Sequence, residues 1–386
     1  MKIEVAKPDL EAALQVASIG SASTGSDLTT HYVFRRKSDG IVEVLSHNNR
    51  LGVSMPVAGC QSTLSDGETM GAFTVESWRL NKWIAAVEDA VLILEMEDGI
   101  VKATSPNGFV KFQSLDPSQF PHWDEAIAEA SAGVSIAARR LHAALSHVRM
   151  FISDKDTTAP KLAVTEILNE SLQATDKGAL AVVTIDVLTK SNLRIHGKDL
   201  GQILAFLASC GDGEVGIREH ERCLFLTRKD GGIMSVGRPH HAFPDIKLDK
   251  KPNDPHYWVV KTNELKMAVN ALASSAVKDD PRLSFGIDGN MVGLTMTSAS
   301  GHQVTHHLEA QEHGSDEDVD VPMPDGGFDI AYPYLLKLLS QYQPETIKFG
   351  LNPQVDQATG KPRGGWVRFR EDRSGDDYLT LLVWLL

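Results

Sequence analysis

The sequence predicts an α+β fold: three tandem copies of a duplicated strand-helix-meander domain. Three observations predict it. A strand-to-helix signature recurs six times, short alternating segments broken by turn residues follow it, and two Phe-Pro breaks divide the six units into pairs.

The signature is clearest at Val134 to Val148, VSIAARRLHAALSHV. Ile136, a β-type residue, precedes Leu141 by five positions, and Ala144, Leu145 and Val148 follow at the spacing of one helix face. The same template fits Val5/Leu10 with Ala13, Leu14 and Ala17, and Val75/Leu80 with Trp83, Ile84 and Val87. It fits again at Ile195/Leu200 with Ile203, Leu204 and Leu207, at Val260/Leu265 with Ala268, Val269 and Leu272, and at Ile330/Leu335 with Leu338, Leu339 and Tyr342. The leading leucines lie about 60 to 70 residues apart. That leaves room in each unit for one three-turn helix and a few strands, and it is too long for a solenoid repeat.

After the first helix, His31 to Phe34, Ile41 to Leu45 and Leu51 to Val57 read as strands separated by SDG and HNN. After the second, Val91 to Met96, Ile100 to Ala103 and Phe109 to Leu115 do the same around EDG and PNG. FQSLDPSQFP (Phe112 to Pro121) closes the second unit and VGRPHHAFP (Val236 to Pro244) closes the fourth. Polar linkers follow at His122 to Ala132 and Asp245 to Pro255. The expected domains are therefore 1–125, 131–248 and 256–386, a usual size. Glu312 to Asp320 and Asn352 to Gly365 are expected as solvated hairpin tips.

Composition bounds the function. The 386 residues are 42% hydrophobic, with no apolar run of membrane-spanning length and no secretory h-region in MKIEVAKPDLE. A cytoplasmic setting with no membrane partner is expected. Cys60, Cys210 and Cys223 are odd in number and show no CxxC spacing, so they are expected as small buried hydrophobes and not as a disulfide or zinc framework.

The net charge of −13 argues against a basic footprint spread over the whole surface. The six helices, by contrast, carry roughly ten Lys and Arg against about six Asp and Glu, so one face is expected to be positive on an acidic body. Alternating strands place a helix layer on one side of each domain. A curved array then brings Arg79, Lys82, Arg139, Arg140, Arg149, Lys198, Lys261, Lys266 and Lys337 near one surface. Free sheet edges at the two ends of the array are removed by head-to-tail closure of two chains. Adjacent helical residues differ by about 100° in direction, so Arg139 and Arg140 do not both point squarely at one ligand. Trp78, Trp83 and Trp258 are expected to pack in the core.

With these features in order, the sequence resembles the bacterial DNA polymerase III β subunit, the replicative sliding clamp, over its whole length. The six helix units, the two Phe-Pro linkers and ATDKGALAV at Ala174 to Val182, where the family has a TDG-HRLAV-like segment, carry the resemblance. It implies the DNA clamp fold, closed by a homodimer into a six-domain ring with helices inside. It also implies a processivity factor without catalysis or cofactor. The expected partners are duplex DNA held without sequence preference, a DNA polymerase catalytic subunit and a clamp loader.

By resemblance, Lys155 falls where the family has a DNA-touching residue, while Ser21 to Thr24 carry no counterpart of the family's basic residue there. Leu162, Thr175, Leu180, Pro244, Thr380, Leu382 and Trp384 match the wall of a pocket for short partner peptides. The family's His-Arg pair is Gly178-Ala179 here and its MPxRL-like terminus is replaced by LVWLL, which predicts a more apolar specificity. Val110 and Phe112 are the expected dimer-interface residues.

Other patterns carry less. GDGEVG at Gly211 to Gly216 has acids inside and a helix before it, which makes it a turn and not a phosphate loop. His302 and His306, with His307 and nearby carboxylates, would suit a metal-dependent enzyme. An interaction scaffold that does not bind DNA is the third reading.

Overall fold

The computed structural model describes residues 1–22, 27–64, 71–88, 90–121, 123–131, 133–153, 158–168, 171–185, 188, 193–244, 246, 254–277, 280–298, 300–315, 327–342, 344–355, 362–370 and 379–385. All six signature units fold as strand, helix and meander. The first runs β1 (Lys2–Ala6), α1 (Lys7–Ala17), β2 (His31–Arg36), β3 (Val42–His47), β4 (Leu51–Pro56) and a short β5 (Gln61–Thr63). The second is β6 (Gly71–Glu76), α2 (Ser77–Ala86), β7 (Val91–Glu97), β8 (Ile100–Ser105) and β9 (Gly108–Gln113). A linker helix, α3 (Asp124–Glu129), precedes the third: β10 (Val134–Ala137), α4 (Ala138–Arg149), β11 (Val164–Leu168), β12 (Ser171–Thr175) and β13 (Ala179–Thr184).

The fourth unit is β14 (Arg194–His196), α5 (Leu200–Ser209), β15 (Glu214–Glu219), β16 (Cys223–Arg228) and β17 (Ile233–Gly237). The fifth is β18 (His256–Lys261), α6 (Thr262–Ala273), β19 (Arg282–Asp288), β20 (Met291–Thr297), β21 (Gln303–Glu309) and β22 (Glu312–Gly314). The sixth is β23 (Phe328–Ala331), α7 (Tyr332–Gln341), β24 (Thr346–Val355), β25 (Pro362–Arg370) and β26 (Leu379–Trp384).

The helices form because each presents one apolar stripe. Every template residue is buried except Trp83 and Val87, which are half-buried where α2 ends. Proline stands in the first turn of α1 and of α7, where its missing N–H costs nothing. Full burial of one such leucine contributes about 1.5–3 kcal/mol.

The chain divides into two compact units, Met1–Ala143 with Lys190–His240, and Ala144–Thr189 with His241–Leu386. Each is built around a joint between two meanders. In the first unit the sheet order is β10-β15-β16-β17-β4-β3-β2-β6, with β17 antiparallel to β4, and a second sheet runs β5-β1-β7-β8-β9. In the second unit the strands run β11-β12-β13-β26-β25-β24-β18-β22, with β13 antiparallel to β26, and another sheet runs β21-β20-β19-β23.

The first linker closes over its sheet. Phe120, Trp123 and Ala130 pack with Val33, Leu45 and Phe225, and the Trp123 indole fills the space where Gly52 has no side chain. Two expectations are corrected. Trp78 is 58% exposed, because the first turn of α2 points it away from the stripe set by Leu80 and Ile84. The three cysteines are free but only half-buried. Gly211 adopts φ +59 in a turn before β15, as GDGEVG suggested.

Candidate functional site

The peptide-groove residues come together through strand register. Thr175 lies opposite Leu180, Leu180 opposite Leu382 and Leu382 opposite Arg368, so these side chains share one sheet face. Two residues along each strand, Val182 lies opposite Thr380 and Trp366 opposite Trp384. Leu180, Val182, Leu382 and Phe243 form one apolar cluster, with Ile246 and Trp366 packed on it. Trp384 stands edge-on to Trp366 at 5.9 Å and stays 37% exposed, an apolar rim open to water. Pro244 follows Phe243, whose backbone N–H donates to the buried Glu166 at 2.8 Å. The Phe-Pro linker is thereby fixed to the sheet.

Leu162 lies to one side, lining a cavity of about 590 Å³ with Ile152, Ser153, Asp176, Tyr334 and Lys337. That volume suits a small polar or peptide group. Its floor is the β12–β13 turn. Asp176 accepts from the N–H groups of Gly178 and Ala179 at 3.1 and 3.2 Å, and the Tyr334 side chain bonds the same carboxylate. Burial, and then the charge of Asp176, push the Tyr334 phenol up to about 12. The Tyr334 hydroxyl occupies the space that a Cβ on residue 178 would need.

Beside the groove, Asp254 is fully buried and takes Arg368 at 2.8 Å and Arg370 at 3.8 Å. Its carboxyl stands where Gly350 lacks a side chain. Glycine is what lets a buried carboxylate reach two guanidinium groups here.

The basic residues fall into two groups. Lys82, Arg149 and Lys266 have no ion-pair or hydrogen-bond partner among the described residues, and Lys82 and Arg149 are exposed. Others are engaged. Arg139 pairs with Asp212 at 2.6 Å, Lys261 with Glu264 at 2.8 Å and Arg79 with Glu76 at 3.5 Å. Such exposed pairs contribute about 0–1 kcal/mol each, so phosphate competes with them readily. Arg140 is half-buried, unlike Arg139 beside it, and Lys198 is exposed just before α5. The Lys337 ammonium donates to the Met150 carbonyl at 3.1 Å and lies over the Phe151 and Tyr334 rings, so it belongs to the cavity wall. Lys155 lies outside the described residues. Of the interface pair, Val110 is half-buried, and Phe112 is buried with the Arg79 guanidinium 5.7 Å above its ring.

No three His, Cys, Asp or Glu side chains converge among the described residues. His306 and His307 alternate across β21, and His302 bonds the Ser300 hydroxyl at 2.8 Å. No described helix is long and apolar enough to cross a membrane.

No family model matches the chain, and no curated relative matches it. Solved structures do. The DNA polymerase III subunit beta from Pseudomonas aeruginosa superposes with a TM-score of 0.79 over 100% of both chains, at 16% identity. The β subunit from Thermotoga maritima gives 0.76 over 100% of this chain and 99% of that one, at 17% identity. The sliding clamp from Bacillus subtilis gives 0.78 with the same coverage, at 14% identity.

The chain has the fold of a DNA sliding clamp.

Within that clamp fold, sequence reasoning missed four residues around the groove: Phe243, Ile246, Trp366 and Tyr334. Phe243 was visible only as the first half of a Phe-Pro break. Nothing in the sequence tied Trp366 to Trp384, because their pairing depends on the register of β25 against β26. A signal for Tyr334 existed in its place immediately before the helix-anchoring Leu335, the position that Asp199 holds before Leu200.

Proposed function

We propose that the chain is a divergent member of the DNA polymerase III β-subunit family. It would be a non-catalytic processivity factor that closes as a homodimer around duplex DNA and tethers a polymerase. The observation that carries this reading is the superposition on a sliding clamp over 100% of both chains. On this reading the three clamp domains are 1–125, 131–248 and 256–386, and closure uses the sheet edges left open at β9 and β21.

DNA is held by many weak, sequence-independent phosphate contacts. Lys82, Arg149 and Lys266 lead because none of them has a counter-ion among the described residues. Arg139, Arg140, Lys198 and Lys261 add to them, with Lys155 assigned by resemblance. The acidic remainder of the chain keeps DNA off other surfaces. The face formed by Thr175, Leu180, Thr380, Leu382 and Trp384, flanked by Leu162 and Pro244, takes extended partner peptides with apolar anchors. A polymerase and a clamp loader are the partners this implies.

The deciding experiment loads the protein on nicked circular DNA with its cognate loader and then linearises the DNA. A clamp is retained on the circle and slides off the linear form. Equal retention on both forms would sink the reading in favour of ordinary DNA binding, and no retention on either would favour an interaction scaffold. Replacing Lys82, Arg149 and Lys266 by Glu is expected to reduce the salt slope of DNA binding by about 0.9 per lost phosphate contact.

A further inference from the structure

The two joints inside the chain share one register. In the first unit Ser235 lies opposite Gly52, and the Gly237 N–H donates to the Arg50 carbonyl at 2.9 Å. In the second unit Leu382 lies opposite Leu180, and the Trp384 N–H donates to the Gly178 carbonyl at 3.2 Å. The repeat gives the same alignment independently. Ile136 and Val260 pair with Val215 and Ile347, so the cross-strand rows Ile217–Leu226–Met234–Val53 and Phe349–Phe369–Leu381–Ala181 correspond. One row further, Phe225–Ser235–Gly52 corresponds to Arg368–Leu382–Leu180, and Arg50 corresponds to Gly178. Asp199 and Tyr334, each just before a helix-anchoring leucine, reach those last two residues. Asp199 takes Arg50 at 2.8 Å, and Tyr334 fills the space over Gly178.

The face that forms the groove beside β13 therefore has a counterpart beside β4, and there it is occupied. The occupant is the chain's own linker. Trp123 and Ile246 stand at the same place, three residues after the phenylalanine of each Phe-Pro break. Trp123 is buried with Phe120 and Phe225, its indole fills the notch left by Gly52, and Ala126 and Ile127 of α3 pack on the same cluster. The next residue, Asp124, accepts both arms of the Arg35 guanidinium at 2.6 and 3.0 Å. Arg35 is itself fixed by the buried Glu43, which accepts from its Nε at 2.6 Å.

The same plug does not fit beside β13. Leu180 puts a side chain where Gly52 has none, and Ile246 brings no aromatic ring. Arg35 and Glu43 correspond to Leu168 and Ser171, so no guanidinium fork stands there.

We propose that the face beside β4 is a second peptide site, closed by the linker as its built-in occupant, resting on the reading above that the β13 face takes partner peptides. The plug defines the ligand: an aromatic side chain for the Gly52 notch, followed at once by a carboxylate for Arg35. A tethered occupant meets its site at an effective concentration on the order of millimolar, so it excludes free peptides that bind in the micromolar range. The chain thus presents one open groove. Release of the linker presents a second, which selects an acidic neighbour to its anchor where the β13 face selects apolar ones.

The test returns the linker as a separate molecule. A labelled peptide of residues 118–131 is titrated by fluorescence anisotropy against the full chain, Trp123→Ala and Asp124→Ala. The parent is expected not to take it at micromolar concentration, and Trp123→Ala to bind it. Asp124→Ala keeps the buried ring and gives up only a half-exposed carboxylate, and is expected to bind at least tenfold more tightly than the parent. Peptides carrying Trp123→Ala or Asp124→Asn are expected to bind at least tenfold more weakly. Gly52→Leu added to Trp123→Ala refills the notch from the strand and is expected to abolish binding.

No binding by either linker variant, with circular dichroism unchanged from the parent, overturns the proposal. Binding that survives Gly52→Leu but disappears with Leu382→Asp places the peptide on the β13 face and overturns the second site alone. If instead Trp123→Ala takes the linker peptide while the parent takes no peptide with apolar anchors, the second site stands and the reading of the β13 face falls.

Discussion

The Tyr334 hydroxyl stands in the space that a side chain on Gly178 would occupy, and it bonds the Asp176 carboxylate in the same turn. The two residues come from different repeats and are coupled by volume and through the Asp176 carboxylate, which accepts the Gly178 N–H as well. Gly178→Ala is expected to destabilise the protein by about 1–3 kcal/mol, the usual scale of overpacking. The double variant Gly178→Ala with Tyr334→Ala should recover part of that loss, since touching sites are non-additive. Urea unfolding of the two single variants and the double variant measures the coupling.

Alkaline pH probes the same contact. The Tyr334 phenol is pushed up to about 12 by burial and by Asp176, so the folded state favours the protonated form. That contribution is fully present below the ordinary tyrosine value of about 10 and is lost as pH rises towards 12. Stability of the parent should fall more steeply than that of Tyr334→Phe across this window. Parallel curves would mean that the phenol is not held.

Acid acts elsewhere. His47 is buried edge-on to Phe120 at 4.6 Å, and burial lowers its pKa against the pull of Asp27. The unfolded chain therefore binds a proton first. The stability His47 contributes is present above about pH 6.5 and is lost as pH falls through the depressed folded value. A His47→Gln variant is expected to blunt that loss, as read from thermal midpoints between about pH 7 and pH 5.

The fit of Trp123 on Gly52 predicts a large effect from a linker residue. Trp123→Ala removes a buried aromatic and should cost about 3–5 kcal/mol. It should also expose the Asp116 to Ala130 stretch to limited proteolysis. A change below about 1 kcal/mol, the level of a surface substitution, would show that the linker is only a tether.

Leu382→Asp places a charge in the cluster of Leu180, Val182 and Phe243. Binding of a short peptide with apolar anchors is expected to fall at least tenfold, about 1.4 kcal/mol or more. Trp384→Ala should weaken it less, because that residue sits on the rim. Fluorescence anisotropy with a labelled peptide separates the two.

Much of this fold was legible because helix stripes are local. Leu141, Ala144, Leu145 and Val148 are spaced by helix geometry alone, and all four are buried. The strand-rich groove was legible only through resemblance. That Leu180 faces Leu382 depends on two strands about 200 residues apart settling into register, which no local pattern encodes. Trp78 shows the opposite failure. Its position at a helix start suggested packing, yet the first turn of α2 directs it outward. Arg79, Lys82, Arg139, Arg140, Arg149, Lys266 and Lys337 do lie on helices, whereas Lys198 precedes α5 and Lys261 ends β18, and none of their counter-ions was foreseeable. Asp212 reaches Arg139 only because the turn after α5 brings it there.

The joints at Arg50 and Gly178 occupy matching positions and use unlike chemistry. One is an ion pair whose arginine is 43% exposed and within reach of salt, and the other is a steric fit sealed by a phenol. A rise in ionic strength therefore weakens the contact beside β4 and leaves the one beside β13 untouched, and alkali does the reverse, while the paired strands hold both joints. Two places built alike thus answer to different solvent conditions.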